Sequence, residues 1–187
     1  MILPIYGYGH QVLREKGKDI GPEYPNLEAF IENMFETMYN AQGVGLAAPQ
    51  VGVSIRLFVV DASPMADAGK DADLQDFKRV FINPEIIAEK GDIWAYEEGC
   101  LSIPDIREQV RRHGEIVIRY LDEKFVAHEE TFDGMKARII QHEYDHIQGV
   151  LFTDRISPMR KNVNKARMQK ISQGQIDPAY RMRFAGK

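Results

Sequence analysis

The sequence predicts an α+β fold in one domain, and three observations predict it. Two well-separated segments show helical periodicity, short extended runs lie between them, and those runs follow one another instead of alternating with helices. The 187 residues (21.4 kDa) suit a single domain. With 44% apolar and 28% charged residues, the chain is not disordered, coiled-coil or collagen-like. No apolar run approaches the roughly 18 residues that span a bilayer, so no membrane partner is expected.

The elements follow in order. The N-terminus carries no basic segment and is broken at Pro4 and Gly7, unlike a signal peptide. Residues 25–42 place Leu27, Phe30, Ile31, Met34, Phe35 and Met38 on one stripe of a helix that stops at Gly43. Residues 43–50 are too Gly-rich for a regular element and too apolar for a solvated loop. Residues 55–61 read as a buried strand, and the polar 62–76 stretch as a long exposed loop. Residues 80–89 and 94–97 look extended, and 115–120 with 125–131 read as a hairpin turning near 122–124. A second helix covers 132–149, with Met135, Ile139, Ile140 and Ile147 on its apolar side. A third covers 158–173, and the tail beyond it carries no clear pattern.

The sharpest chemical signal is His142-Glu143-Tyr144-Asp145-His146, an H-E-x-x-H on the second helix. Residues four apart are offset by about 40° and rise about 6 Å, so both imidazoles project towards a single ion. Glu143, about 100° from His142, borders that ion without ligating it, as a base for a water nucleophile should. A catalytic ion generally has three protein ligands and an open position. Zinc peptidases with this pentad take the third ligand downstream, but Phe152 stands six residues past His146 and no His or Glu follows. The candidate lies upstream: Cys100, in Glu98-Gly99-Cys100-Leu101-Ser102. A thiolate with two imidazoles suits Fe(II), Zn, Co or Ni.

Cys100 is the single cysteine, so no internal disulfide forms and a reducing, cytoplasmic location is expected. The net charge of −4 is unevenly spread. Residues 155–187 hold nine Lys or Arg against one acid, Asp177, a net of +8, and residues 1–154 a net of −12. A basic tail on an acidic body suits a polyanionic partner such as RNA, or simply a solvated helix.

Three segments together resemble the peptide deformylase family: Gly43-Val44-Gly45-Leu46-Ala47-Ala48-Pro49-Gln50, Glu98-Gly99-Cys100-Leu101-Ser102, and Gln141-His142-Glu143-Tyr144-Asp145-His146. The similarity runs from about residue 4 to 160. The longer 62–76 loop and the tail depart from the family pattern, and no chemically required position does. The resemblance implies mostly antiparallel strands packed around a central helix bearing the H-E-x-x-H, with a C-terminal helix. It implies a catalytic domain over 1–157, extended by a basic helix and tail over 158–187.

The reaction the resemblance implies is hydrolytic removal of the formyl group from the N-terminal formyl-methionine of new polypeptides, releasing formate. Cys100, His142 and His146 then hold the ion, Fe(II) in cells with Zn, Ni or Co able to replace it. Glu143 is the general acid/base. Gln50, by its side-chain amide, and Leu101, by its backbone N–H, stabilise the oxyanion. Gly43, Val44, Gly45 and Ile139 bind the substrate, Val44, Leu101 and Ile139 lining the methionine slot, and Arg107 helps position the peptide. Glu98 pairs with Arg112, while Gln141 and Asp145 support the imidazoles. His10, His113 and His128 match no ligand position. The partners implied are formyl-methionyl nascent peptides and, through the basic tail, the ribosome; no DNA is expected. On this reading, truncation after Arg155 spares hydrolysis of a short formyl peptide. The H-E-x-x-H zinc peptidase remains the alternative, although it leaves Cys100 and the 43–50 segment without roles.

Overall fold

The apolar stripe of residues 25–42 becomes α1 (Leu27–Asn40), which buries Ile31, Met34, Phe35 and Met38. A computed structural model describes residues 1–66 and 72–186. Five strands form one antiparallel sheet in the order β2 (Gly45–Ala47), β3 (Leu57–Asp61), β4 (Lys78–Cys100), β5 (Ile103–Leu121) and β6 (Ala127–Asp133). Every residue of β3 is buried, and its pleat divides the core. Leu57 and Val59 face the cluster under α1, whereas Phe58 and Val60 face Phe81, Ile116, Ile118 and Ile140. Ile140 belongs to α2 (Gly134–Ile147), so the H-E-x-x-H helix lies against the sheet and is buried along most of its length.

Residues 80–89 and 94–97, expected as separate runs, belong to one 23-residue strand, β4. Register shifts between Ile82 and Glu85, Ile86 and Ala88, and Lys90 and Ile93, with Gly91 at φ +70°, bend this strand against β5 without ending it. Those bulges interrupt the sequence alternation and conceal its continuity. At the far end Cys100 pairs with Ile103, leaving Leu101 and Ser102 as the turn between β4 and β5.

Three expectations need correction. The 43–50 segment is regular after all: β2 pairs with β3, and a 3₁₀ turn follows at Ala48–Val51. Gly45 is needed there because a Cβ would press on the Glu143 carboxylate. The second helix begins at Gly134, since Phe132 still pairs with Ile116 in the sheet; Gly134, at φ +54°, makes the switch from strand to helix. The 62–76 stretch is not simply exposed. Ala62 and Leu74 are buried, 3₁₀ turns form at Ser63–Met65 and Ala72–Leu74, and residues 67–71 of that expected loop lie outside the described residues.

The C-terminal region packs on the body. Ser157 caps α3 (Pro158–Ser172), which buries Asn164, Met168 and Ile171; the latter two join Leu13, Ile103 and Phe152 in a third cluster. Beyond α3 the unassigned tail returns as β7 (Met182–Arg183), which pairs in parallel with β1 (Ile5–Tyr6).

Candidate active site

The hairpin turn of β4–β5 and the buried face of α2 meet at one point. Ligand atoms of Cys100, His142 and His146 lie within 4.8 Å of one another, and Cys100 Sγ is 3.4 Å from His146 Nε2. A tetrahedral ion with ordinary bond lengths to sulfur and nitrogen sets such atoms about 3.6 Å apart. The donor set therefore fits a divalent cation, with a soft thiolate and two imidazoles.

Glu98, two residues before Cys100 on β4, orients His142 by accepting a hydrogen bond from Nδ1 at 2.9 Å. The carboxylate is itself held by Arg112, whose Nε and Nη2 donate at 2.7 and 2.9 Å, and by Arg138 Nη1 at 2.9 Å. Burial raises the Glu98 pKa, but the hydrogen bonds from Arg112 and His142 outweigh it and hold the carboxyl well below its usual range. Burial also opposes charge on both imidazoles. At His142 it is outweighed by Cys100, Glu98 and Glu143, which draw positive charge there; at His146 burial prevails and favours the neutral ring. Acids that favour a proton on His142 also favour a cation beside it.

Glu143 faces the same cavity from α2. Its Oε2 is buried with no hydrogen-bond partner, and burial pushes its carboxyl up to about 7. Gln50, from the 3₁₀ turn after β2, accepts from Ala47 N at 2.9 Å. That contact directs its amide nitrogen towards Ser102 Oγ (3.2 Å) and Cys100 Sγ (3.5 Å). Thus the Cys100 sulfur, the His142 imidazole, the Glu143 carboxyl and the Gln50 amide line one cavity of about 630 Å³, with the buried His146 ring behind Cys100. Gly43, Val44, Gly45, Leu101, Arg107 and Ile139 line that cavity too. Arg107 sits on its exposed rim, where Nε pairs with Glu97 at 3.0 Å.

The expected supports for the imidazoles are corrected. Gln141 donates to the carbonyls of His113 and Ala137, and Asp145 accepts from Arg112 at 2.8 Å and from Arg155. Neither touches a ligand ring. Glu98 does so directly, and Asp145 acts at one remove through Arg112. Arg138, Ser102 and Tyr180 were not singled out by sequence. Arg138 alone carried a signal, being a charged residue within the apolar face of α2 (Met135, Ile139, Ile140). His10, His113 and His128 lie elsewhere: His128 pairs with Asp122 at 2.8 Å, His113 lies near the Gly91 carbonyl, and His10 abuts Tyr6.

The sequence matches the polypeptide deformylase family over residues 2–162. The chain belongs to the peptide deformylase family. A peptide deformylase of Flavobacterium johnsoniae is 55% identical, with 99% of this chain and 97% of the relative covered. One from Cytophaga hutchinsonii is 48% identical, with 98% of each covered. The crystal structure of the Legionella pneumophila peptide deformylase superposes with a TM-score of 0.80 at 36% identity, covering 94% of this chain and 98% of that one. The Thermotoga maritima peptide deformylase gives 0.74 at 41% identity, covering 84% and 99%. Membership in the peptide deformylase family makes this chain a metal-dependent amidohydrolase and disfavours the zinc peptidase reading. Among the described residues no helix is long and apolar enough to cross a membrane.

Proposed function

We propose that the cavity takes the formyl-methionyl end of a nascent polypeptide and that Cys100, His142 and His146 hold one divalent ion beside the formyl carbon. The reaction is hydrolytic removal of the N-formyl group, with release of formate. The observation that carries this assignment is the meeting of three ligand atoms within 4.8 Å with a buried, unpartnered Glu143 oxygen. When bound, the ion is a Lewis acid that makes a hydroxide-like nucleophile available near neutral pH.

Glu143 accepts the proton of the attacking water and returns it to the departing amine. Burial suits it to this exchange, because a carboxyl at about 7 gains and loses a proton readily near neutrality. The Gln50 amide and the Leu101 N–H donate to the oxygen that gains charge during attack. Gly43 and Gly45 leave room for the backbone of an extended peptide, which binds partly as an added strand. Val44, Leu101 and Ile139 receive the methionine side chain, while Arg107 at the rim steers the chain beyond it.

The ion is Fe(II) in the cell, with Zn, Ni or Co able to substitute at a thiolate–imidazole site. The enzyme works in the cytoplasm, where formylated chains emerge, and 158–187 extends the catalytic domain 1–157. Four exposed cations of α3, Lys161, Lys165, Arg167 and Lys170, provide a surface for ribosomal RNA. The deciding experiment measures formate released from formyl-Met-Ala by anaerobically purified protein, with metal content determined on the same sample. Stoichiometric iron with rapid formate release is the expected result. Cleavage of internal amide bonds without formate release would overturn the assignment.

A further inference from the structure

The tail beyond α3 reaches the active-site cavity through one residue. Tyr180 lines the cavity beside Gly43, Leu101 and Asp105, and its hydroxyl donates to the Leu101 carbonyl at 2.7 Å. Leu101 lies in the turn between β4 and β5, outside the sheet ladder. The next carbonyl, that of Ser102, accepts from Tyr8 N at 2.8 Å, so the turn is tied down by two segments distant in sequence. Tyr180 is itself well anchored. Ile5 N donates to Arg181 O at 2.9 Å and Gly7 N to Arg183 O at 2.8 Å, while Tyr180 and Met182 pack against the core under α1. Further on, Gly186 N donates to Ser172 O at 3.0 Å, closing the tail onto the end of α3. Tyr180 also lies beyond the segment that matches the family, which ends at residue 162.

We propose that Tyr180 is a positioning residue for deformylation, holding the Leu101 turn so that the Leu101 N–H stays aimed at the oxygen that gains charge. This rests on the reading of Leu101 as an oxyanion donor. A donor of this kind is effective when it is fixed before the reaction, because reorganisation during attack would raise the barrier. A hydrogen bond to the carbonyl of the same residue restrains the turn without occupying the N–H. The substrate therefore meets two donors, one from the 3₁₀ turn after β2 and one from the β4–β5 turn, and the C-terminal tail braces the second from behind.

Tyr180→Phe tests this, since it removes one hydroxyl and keeps the ring. With formyl-Met-Ala as substrate, kcat should fall about fivefold, the rate equivalent of one ordinary hydrogen bond. KM and metal content should stay at wild-type values. A chain ending at Gln175 keeps α3 and should lose at least as much kcat, measured per metal-loaded folded enzyme. Wild-type kcat in Tyr180→Phe would overturn the proposal, and so would a rise in KM alone, which would make Tyr180 merely a wall of the groove. The reference is wild-type formate release: a wild-type chain releasing none fails the deformylase reading before Tyr180 is in question.

Discussion

The Glu98 carboxylate shows how closely the candidate metal site depends on its surroundings. It accepts from two guanidinium groups and from His142, and Glu98 and its three partners are all largely withdrawn from water. Glu98→Gln replaces one acceptor oxygen with a donor, leaving Arg138 buried without its counter-charge and Arg112 with Asp145 alone. We expect metal affinity to fall about 10–100-fold and stability by roughly 3–5 kcal/mol, read by competition with a chelator and by denaturant unfolding. Unchanged affinity would show that His142 needs no orienting partner. Alanine at Cys100, His142 or His146 should remove metal and activity together, because three ligands leave no redundancy. Glu143→Ala should instead retain metal and lose turnover by about 10²–10⁴-fold, the usual contribution of a positioned acid/base. Full metal occupancy in any ligand mutant, or near-normal turnover without Glu143, would contradict these roles. The closeness of His142 and His146 on α2 was legible because an i, i+4 spacing fixes geometry locally. Cys100 was legible only by completing an unfinished set. Arg138 showed only as a charge within an apolar helix face and Tyr180 not at all, because their partners at Glu98 and Leu101 are not revealed by sequence spacing.

Periodicity located all three helices within two or three residues of their ends, since burial of one face repeats every turn. It failed where pairing, not periodicity, decides structure. β2 has a sequence that suggests no regular element, yet its three residues are buried and paired with Val60, Val59 and Phe58. The bulges of β4 concealed one strand as two. Gly45 joins these levels, because β2 can lie beside α2 only if nothing projects towards Glu143. Gly45→Ala places a Cβ against that carboxylate, so either the strand or the acid must shift. The expected outcome is a severe loss of kcat with metal content retained, measured on purified, metal-loaded protein. Wild-type turnover would mean that Glu143 has freedom the packing does not suggest. Gly149→Ala is the matched control away from the cavity. Its φ is +75° and its Cβ would meet the Arg14 carbonyl at 2.6 Å, so it should cost stability without a selective effect on kcat.

At the scale of the molecule, the C-terminal region is a matter of both packing and charge, and the two can be separated. The charge imbalance was plain in the sequence, but what the C-terminal region covers was not, and its packing argues against the expectation that truncation after Arg155 spares short-peptide hydrolysis. That cut removes Ile156, Met168 and Ile171 from the third cluster, at about 1.5–3 kcal/mol for each fully buried apolar side chain. It also deprives the Glu108 carboxylate of Arg160 and Asn164 and removes Tyr180 from the cavity. Against a typical total of about 5–15 kcal/mol, the truncated chain should melt well below the full one and hydrolyse formyl-Met-Ala poorly. Arg155, Arg160 and Arg183 serve internal contacts with Asp145, Glu108 and Tyr6, so the whole +8 is not free for a partner. Lys187, also counted in that charge, lies outside the described residues. The informative variant changes Lys161, Lys165, Arg167 and Lys170 to Gln, leaving the buried side of α3 intact. Hydrolysis of the short peptide and the melting temperature should remain at wild-type values. Co-sedimentation with ribosomes should weaken and become less sensitive to salt, because each neutralised cation releases fewer counterions on contact with phosphate. Equal co-sedimentation of the two proteins across a salt titration would reduce the basic face of α3 to a solvated surface, while leaving the tail's contribution to the catalytic cavity in place.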